Sequence, residues 1–206
     1  MPDSILSIPE IRDYERINAE LIQRLDAGHT NVRLAGAEGQ RLLLAGMVGG
    51  WSALVEVEGD AGPELAAGLD APGVTVVVRG RSADGAGARL RAGRLILLGD
   101  TGDALGASQQ GGVILAAAGA GHRAGLNQSE GVLVVLGPLG RLAGERQTGG
   151  RVFVPAGQLG PHAGHGRRAG ALLRFDAATH LGLSAEDAGI LQSILDAAAR
   201  WVPKTW

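Results

Sequence analysis

Four columns of glycine run in phase through this chain and restrict it to a fold that repeats along one axis. The unit G-x-x-G-x-x-x-G-x-x-x-x-G/Q-G is followed each time by five or six mostly apolar residues. Its first position falls at Gly59, Gly80, Gly99, the substituted Ala118, Gly137 and Gly157, in steps of 21, 19, 19, 19 and 20 residues. The second runs Gly62, Ala83, Gly102, Gly121, Gly140, Gly160, and the third Gly87, Gly106, Gly125, Gly144, Gly164. A fourth, just before each apolar run, is Gly73, Gly93, Gly112, Gly131, Gly150, Gly170. A period near 20 residues is that of a solenoid in which each pass is one coil stacked on the last.

Glycine supplies 35 of the 206 residues, a fraction that also occurs in flexible tracts. Such tracts lack regularly spaced apolar runs. Here the runs Val74–Val78, Arg94–Leu98, Val113–Ala117, Val132–Leu136, Arg151–Pro155 and Ala171–Phe175 recur, and 45% of the chain is hydrophobic. Alternation within them (Val74, Val76, Val78) puts one set of side chains inside the coil and the other outside. A coil of this length must turn sharply, and glycine reaches positive φ without steric cost. Glycine columns also let coils approach at about 4.8 Å with no Cβ between them.

Residues 30–176 thus read as the coiled body, flanked by an N-terminal helical segment, 1–29, and a C-terminal capping helix within 177–206. Residues 10–27 carry Ile11, Tyr14, Ile17, Leu21, Ile22 and Leu25 at three- and four-residue steps, with Gly28 placed as a C-terminal cap. Val32-Arg33-Leu34 and Arg41-Leu42-Leu43-Leu44 predict short strands, and Ala53–Glu58 alternates as the first clear coil strand. Gly36-Ala37-Glu38-Gly39 and Gly46-Met47-Val48-Gly49 are degraded copies of the spacing. Ser184-Ala-Glu-Asp187 starts a helix with an apolar face of Ile190, Leu191, Ile194, Leu195, Ala198, Trp201 and Val202, ended by Pro203. The two end coils expose backbone edges, and both helices are candidate covers for them.

Composition excludes several functions. Net charge is −2 without a basic block, and aromatics are 3%, so nucleic acid is not an expected partner. Cysteine is absent, which removes disulfides, iron–sulfur ligation and a thiol nucleophile. No apolar stretch approaches the roughly 20 residues of a membrane span. The opening Met1-Pro2-Asp3-Ser4 lacks the basic start of a signal peptide. A cytoplasmic protein is the expectation.

Candidate chemistry is sparse. His162-Ala-Gly-His165 is the most metal-like pair, but Zn²⁺ takes a third and usually a fourth ligand, and none stands at a recognisable spacing. A solvated corner of the final coil, beside Arg167 and Arg168, is the competing reading. His29, His122 and His180 are isolated. Asp60, Asp84, Asp100 and Asp103 recur at corners without the density of a calcium β-roll, which makes them acceptors for backbone N–H groups. Gly85-Ala-Gly87 and Gly119-Ala-Gly121 lead into further strands, not into the helix that a dinucleotide loop requires. Arg79, Arg81, Arg89, Arg91 and Arg94 fall within two coils and read as an acidic-partner patch or as a solvated coil face. Hexapeptide acyltransferase coils come in multiples of six, which steps of 19 do not fit.

The repeat G-x-x-G-x-x-x-G-x-x-x-x-G-G-φ-x-φ-φ resembles the GXGXG domain at the C-terminus of the large subunit of glutamate synthase. The helix with Arg16-Ile17-Asn18-Ala19-Glu20-Leu21 and the passage Val55–Leu69 are similar to the small subunit of N-methylglutamate-synthase-type complexes. The same repeat occurs in one of the subunits of formylmethanofuran dehydrogenase and in its formyltransferase/hydrolase counterpart. The resemblance covers about residues 10–176 and implies a right-handed single-stranded β-helix that is itself non-catalytic. It implies no catalytic, cofactor-binding or metal residue in the repeat, and no cofactor. The partners implied are amidotransferase-type and flavin-binding synthase-type subunits, or formyltransferase subunits; a self-assembling solenoid using Trp51, Trp201 and Trp206 as contacts is the alternative. Where the family often has Met or a bulky residue before its paired glycines, this chain has Leu69, Leu90, Gln109, Asn127, Gln147 and Arg167, on an implied partner-facing surface.

Overall fold

Nine parallel strands follow one another in a single sheet, each hydrogen-bonded only to the strands before and after it in sequence. The computed structural model describes residues 4–11, 13–176, 179 and 182–202. The opening Met1-Pro2-Asp3, His180, Pro203 and Trp206 lie outside the described residues. The strands are β1 (Ser4–Ser7), β2 (Asn31–Ala35), β3 (Ser52–Val57), β4 (Asp70–Val78), β5 (Ala92–Leu97), β6 (Gln110–Ala116), β7 (Glu130–Val135), β8 (Thr148–Pro155) and β9 (Ala169–Phe175). Helices α1 (Ile8–Ile11) and α2 (Tyr14–Asp26) follow β1, and α3 (Ala185–Ala198) follows β9. The result is a β-solenoid of about seven turns. A second ladder of single parallel bridges runs Gln40, Ala61, Ser82, Thr101, Ala120, Leu139, Leu159 up the opposite side of the coils.

The strand register matches the repeat. Val57, Val78, Leu97, Ala116, Val135 and Val154 stack in one fully buried inner column, and Leu95, Ile114, Leu133 and Val152 in another. Alternation sends Val77, Ile96, Leu115, Val134 and Phe153 to the outer face. Arg41–Leu44, expected as a strand, is instead part of the first of seven six-residue turns, at 41–46, 63–68, 84–89, 103–108, 122–127, 141–146 and 161–166. Each turn has left-handed backbone at three alternate residues, for example Glu64, Ala66 and Gly68 (φ 60°, 52° and 67°). Across the seven turns more than half of these positions carry a side chain, among them Leu42, Arg123 and His162.

Glycine therefore serves two purposes, sorted by column. The third column (Gly87 to Gly164) and most of the fourth supply positive φ. The first and second mostly do not; they clear the path of the neighbouring coil. A Cβ on Gly99 would lie 2.6 Å from the Gly80 carbonyl oxygen, and one on Gly160 2.6 Å from that of Gly140. The corner acids contribute to the same crowding. Asp60 accepts the Arg81 N–H at 2.8 Å, Asp84 that of Asp103 at 2.8 Å, and Asp103 that of His122 at 2.7 Å. His122 Nδ1 continues the column by accepting the Arg141 N–H at 3.1 Å.

The N-terminal segment holds more than the expected helix. β1 adds a strand beyond β2, and the Asp13 side chain, accepting the Glu15 N–H, starts α2. Ile17, Leu21 and Leu25 of α2 join the first coil's Val32, Leu34, Leu43 and Leu44 in the main core. Asn18, 8% exposed, donates to Leu42 O and accepts from Leu44 N–H, each at 2.9 Å, so it satisfies backbone groups for which no earlier coil exists. This end is closed.

α3 starts at Ser184, whose hydroxyl accepts the Asp187 N–H. It lies against the sheet's outer face: Leu191, Leu195 and Ala198 bury with Val77, Ile96, Leu115, Val134 and Phe153. Each large apolar side chain covered this way contributes about 1.5–3 kcal/mol. Arg151 on β8 fixes the start of the helix through Asp187 (2.8 Å) and Glu186 (2.6 Å). Beyond the helix the outer face turns polar, with Arg79–Glu56 at 2.8 Å and Arg33–Glu58 at 3.4 Å.

The two glycine roles make a testable contrast. Gly99→Ala is expected to cost at least about 3 kcal/mol because backbone must shift, whereas Gly144→Ala, whose Cβ meets nothing closer than 3.4 Å, is expected to cost about 1 kcal/mol. Urea denaturation of the two variants measures the difference.

Candidate functional site

The asymmetry between the two ends is generated by the hydrogen-bonding pattern of the turns. In each coil the first left-handed residue donates to the coil above, the second to the coil below, and the third above again. Glu64 N–H reaches Asp84 O (2.9 Å), Ala66 N–H reaches Leu43 O (2.8 Å) and Gly68 N–H reaches Ala88 O (2.7 Å). The bridge column also donates upward, as in Leu139 N–H to Gln158 O at 2.8 Å. On the final coil the equivalent amides are those of Leu159, His162 and Gly166. Among the described residues none of the three has an acceptor.

Core positions of this coil are only partly covered. Leu159, Ala163 and Leu172 pack on the main core from above and are half-buried. Arg174 occupies the column that holds Val57, Val78, Leu97, Ala116, Val135 and Val154 in the coils beneath, and it is exposed. From Gly157 to Asp176 there are Arg167, Arg168, Arg174, His162 and His165, and one carboxylate, Asp176, which accepts from Thr179.

A column of glutamines leads to the same end. Gln109, Gln128 and Gln147, all 0% exposed, stack inside the coils where Leu69 and Leu90 stand below them. Gln128 Nε2 donates to Gln109 Oε1 at 3.0 Å and Gln147 Nε2 to Gln128 Oε1 at 2.9 Å. Each amide nitrogen also meets backbone carbonyls of its own coil and the next, such as Gly150 and Ala171 for Gln147. Gln147 Oε1 is buried and accepts from no described residue. Arg167 comes next in the column, exposed, and donates to Gly170 O at 3.1 Å as Gln147 does to Gly150 O. These positions line the interior, so the partner-facing surface implied for them is corrected. Asn127 lies one residue outside the column, exposed at a left-handed turn position, and Gln128 takes its place. The Gln-Gln and Leu-Asn-Gln strings at the same offset in successive coils were the signal for this ladder.

The other candidates disperse. His162 and His165 are exposed on the last turn, and the described residues hold no group of three or more His, Asp or Glu placed to bind a metal ion. The arginines at 79–94 do not converge: Arg79 pairs with Glu56, Arg81 with Asp60 at 3.4 Å, and Arg91 with Gln110, on different faces. Arg94 borders a cavity of 140 Å³ roofed by α3 and lined mainly by Leu95, Ile96, Val113, Leu115 and Ile194. Trp51 is half-buried, its indole donating to Asp26 at 2.7 Å, and Trp201 is half-buried with Arg200 stacked 3.8 Å from its ring centroid. Both are packing residues, where the sequence alone suggests contact residues. No described helix is long and apolar enough to cross a membrane.

Comparison with known proteins gives no matching family model, no matching curated protein and no matching solved structure.

The glutamine ladder can be probed independently of any partner. Gln128→Leu removes an amide bonded on both sides, and Gln147→Leu removes one bonded on one side while eliminating the unpartnered Oε1. The middle substitution is expected to be the more destabilising by about 1 kcal/mol, read from the two denaturation midpoints.

Proposed function

We propose that the chain is a non-catalytic scaffold subunit of a glutamate-synthase-like multi-subunit oxidoreductase. An amidotransferase-type subunit and a flavin-binding synthase-type subunit would supply the chemistry, and the solenoid would hold them in place. The observation that carries the reading is the open last coil. α2 and Asn18 cover the core at one end of the solenoid, whereas at the other, among the described residues, the amides of Leu159, His162 and Gly166 find no acceptor and half-buried apolar residues stand at the rim. Sheet edges of this kind template pairing with another chain unless they are blunted or covered. The glycine-phased coils of 19 to 21 residues, which resemble the GXGXG repeat, support the choice of complex. The dispersed titratable groups support placing the chemistry on other subunits.

Co-expression with an amidotransferase-type and a flavin-binding subunit tests this. The expected outcome is one complex containing all three chains on size exclusion, with flavin absorbance in that peak and none on the solenoid purified alone. Elution of the solenoid apart from both subunits, or its exclusive association with a formyltransferase subunit, overturns the reading.

A further inference from the structure

The last coil differs from the six beneath it in charge as well as in coverage. Its arginines do not sit at random. Arg174 takes the place of an inner valine, and Arg167 takes the place of a ladder glutamine, so two guanidinium groups border the exposed core. Arg168 is exposed beside them, and the one carboxylate of the coil, Asp176, accepts from Thr179. Elsewhere on the solenoid Arg79 is matched by Glu56, Arg123 by Glu145 and Arg151 by Glu186 and Asp187, whereas Arg89, Arg94, Arg141 and Arg146 pair with no carboxylate among the described residues, so it is the grouping of three arginines at one rim that sets the last coil apart.

Backbone direction adds to the charge. Outer-face residues donate to the coil beneath, as Leu98 N–H does to Val78 O (3.0 Å) and Leu136 N–H to Ala116 O (2.9 Å). The intervening core-side residue Leu172 therefore presents its backbone away from the body, in line with the amides of Leu159, His162 and Gly166, which have no acceptor among the described residues. Gly182 lies against the Arg174 carbonyl, so the open stretch of the edge is 169–172. Hydrogen-bond donors and positive side chains thus face the same way around a small apolar floor of Leu159, Ala163 and Leu172.

From this we propose that the open end binds an acidic, extended segment of a partner protein. The segment would lie across the last coil, accepting from the Leu172, Gly166 and His162 amides, with carboxylates against Arg167, Arg168 and Arg174 and alternate apolar side chains on the floor. Main-chain bonds would supply affinity and the side-chain pockets the specificity, as in strand addition to other sheet edges. A second copy joined tail to tail would set like charges against each other, a cost that favours the acidic partner. Inward-pointing charge also guards an edge against indiscriminate pairing. The inference rests on the chain being a partner-binding scaffold, and not on which complex it serves.

The test uses the full chain and labelled peptides of about eight residues: alternating Glu and Val, alternating Lys and Val, and alternating Glu and Gly. The Glu–Val peptide is expected to bind and to slow hydrogen exchange at the Leu172, Gly166 and His162 amides. Arg167→Glu combined with Arg174→Glu is expected to weaken it by at least about tenfold. Both sites are exposed, so circular dichroism should be unchanged, and Arg89→Glu on the flank should bind as the parent does. The inference is overturned by absent binding, equal binding of the Lys–Val or Glu–Gly peptide, or binding without slowed exchange. It is overturned too by a dimer of the chain that protects these amides, or by single-stranded DNA displacing the peptide and protecting them equally. If the assembly of all three chains forms and survives the double charge reversal, this inference fails and the scaffold reading stands. If the peptide binds as expected but no such assembly forms, the glutamate-synthase reading fails alone.

Discussion

Backbone hydrogen bonding from one coil to the next is the constraint on which the rest of this molecule depends. It operates on both sides of the coil: through the nine-stranded ladder on one face and through the alternating up-and-down amides of the turns on the other. Because the coil spacing is fixed by these bonds, any atom between the ladders must fit a gap of about 4.8 Å. That is why most glycines of the first two columns sit over a carbonyl or backbone group of the preceding coil. It is also why three glutamines of identical length can stack inside the barrel with each amide passing one bond to the next.

The same bonding leaves a remainder at each end, and the two remainders are treated differently. At the start, β1 extends the sheet and Asn18 substitutes for the missing coil's donor and acceptor. At the finish the described residues supply no such substitute. α3 covers the flank, where Val77 through Phe153 would otherwise form an apolar stripe along the sheet. Burial beneath a helix solves a side-chain problem, and it leaves the backbone edge of the last coil untouched. The functional reading follows from this division between a covered flank and an uncovered end.

Much of the fold could be read from the chain. Period, strand positions and the inward set of each strand are dictated by glycine phase and by alternation, which are local properties. Ser184 as a helix start is local too, and Asp60, Asp84 and Asp103 do accept backbone N–H groups, though from the next coil, 19 to 21 residues on. The reading failed where a short apolar string was ambiguous. Arg41–Leu44 looks like a strand, but in register it belongs to a turn whose left-handed positions tolerate Leu42 and Leu44. Trp51 and Trp201 looked available for contact because their partners, Asp26 and Arg200, act through side chains that periodicity does not locate.

What the sequence determined by itself was the coil: its length, its bends and which residues line it, since each depends on φ preference and on a two-residue alternation. The tertiary structure decided which glycines serve clearance and which serve curvature, and that the polar column is an internal ladder. It also decided that the core is covered by a helix at one end and, among the described residues, left half-buried at the other. Those outcomes depend on which groups of one coil face those of the next, a relation between residues about 20 apart that only stacking brings together.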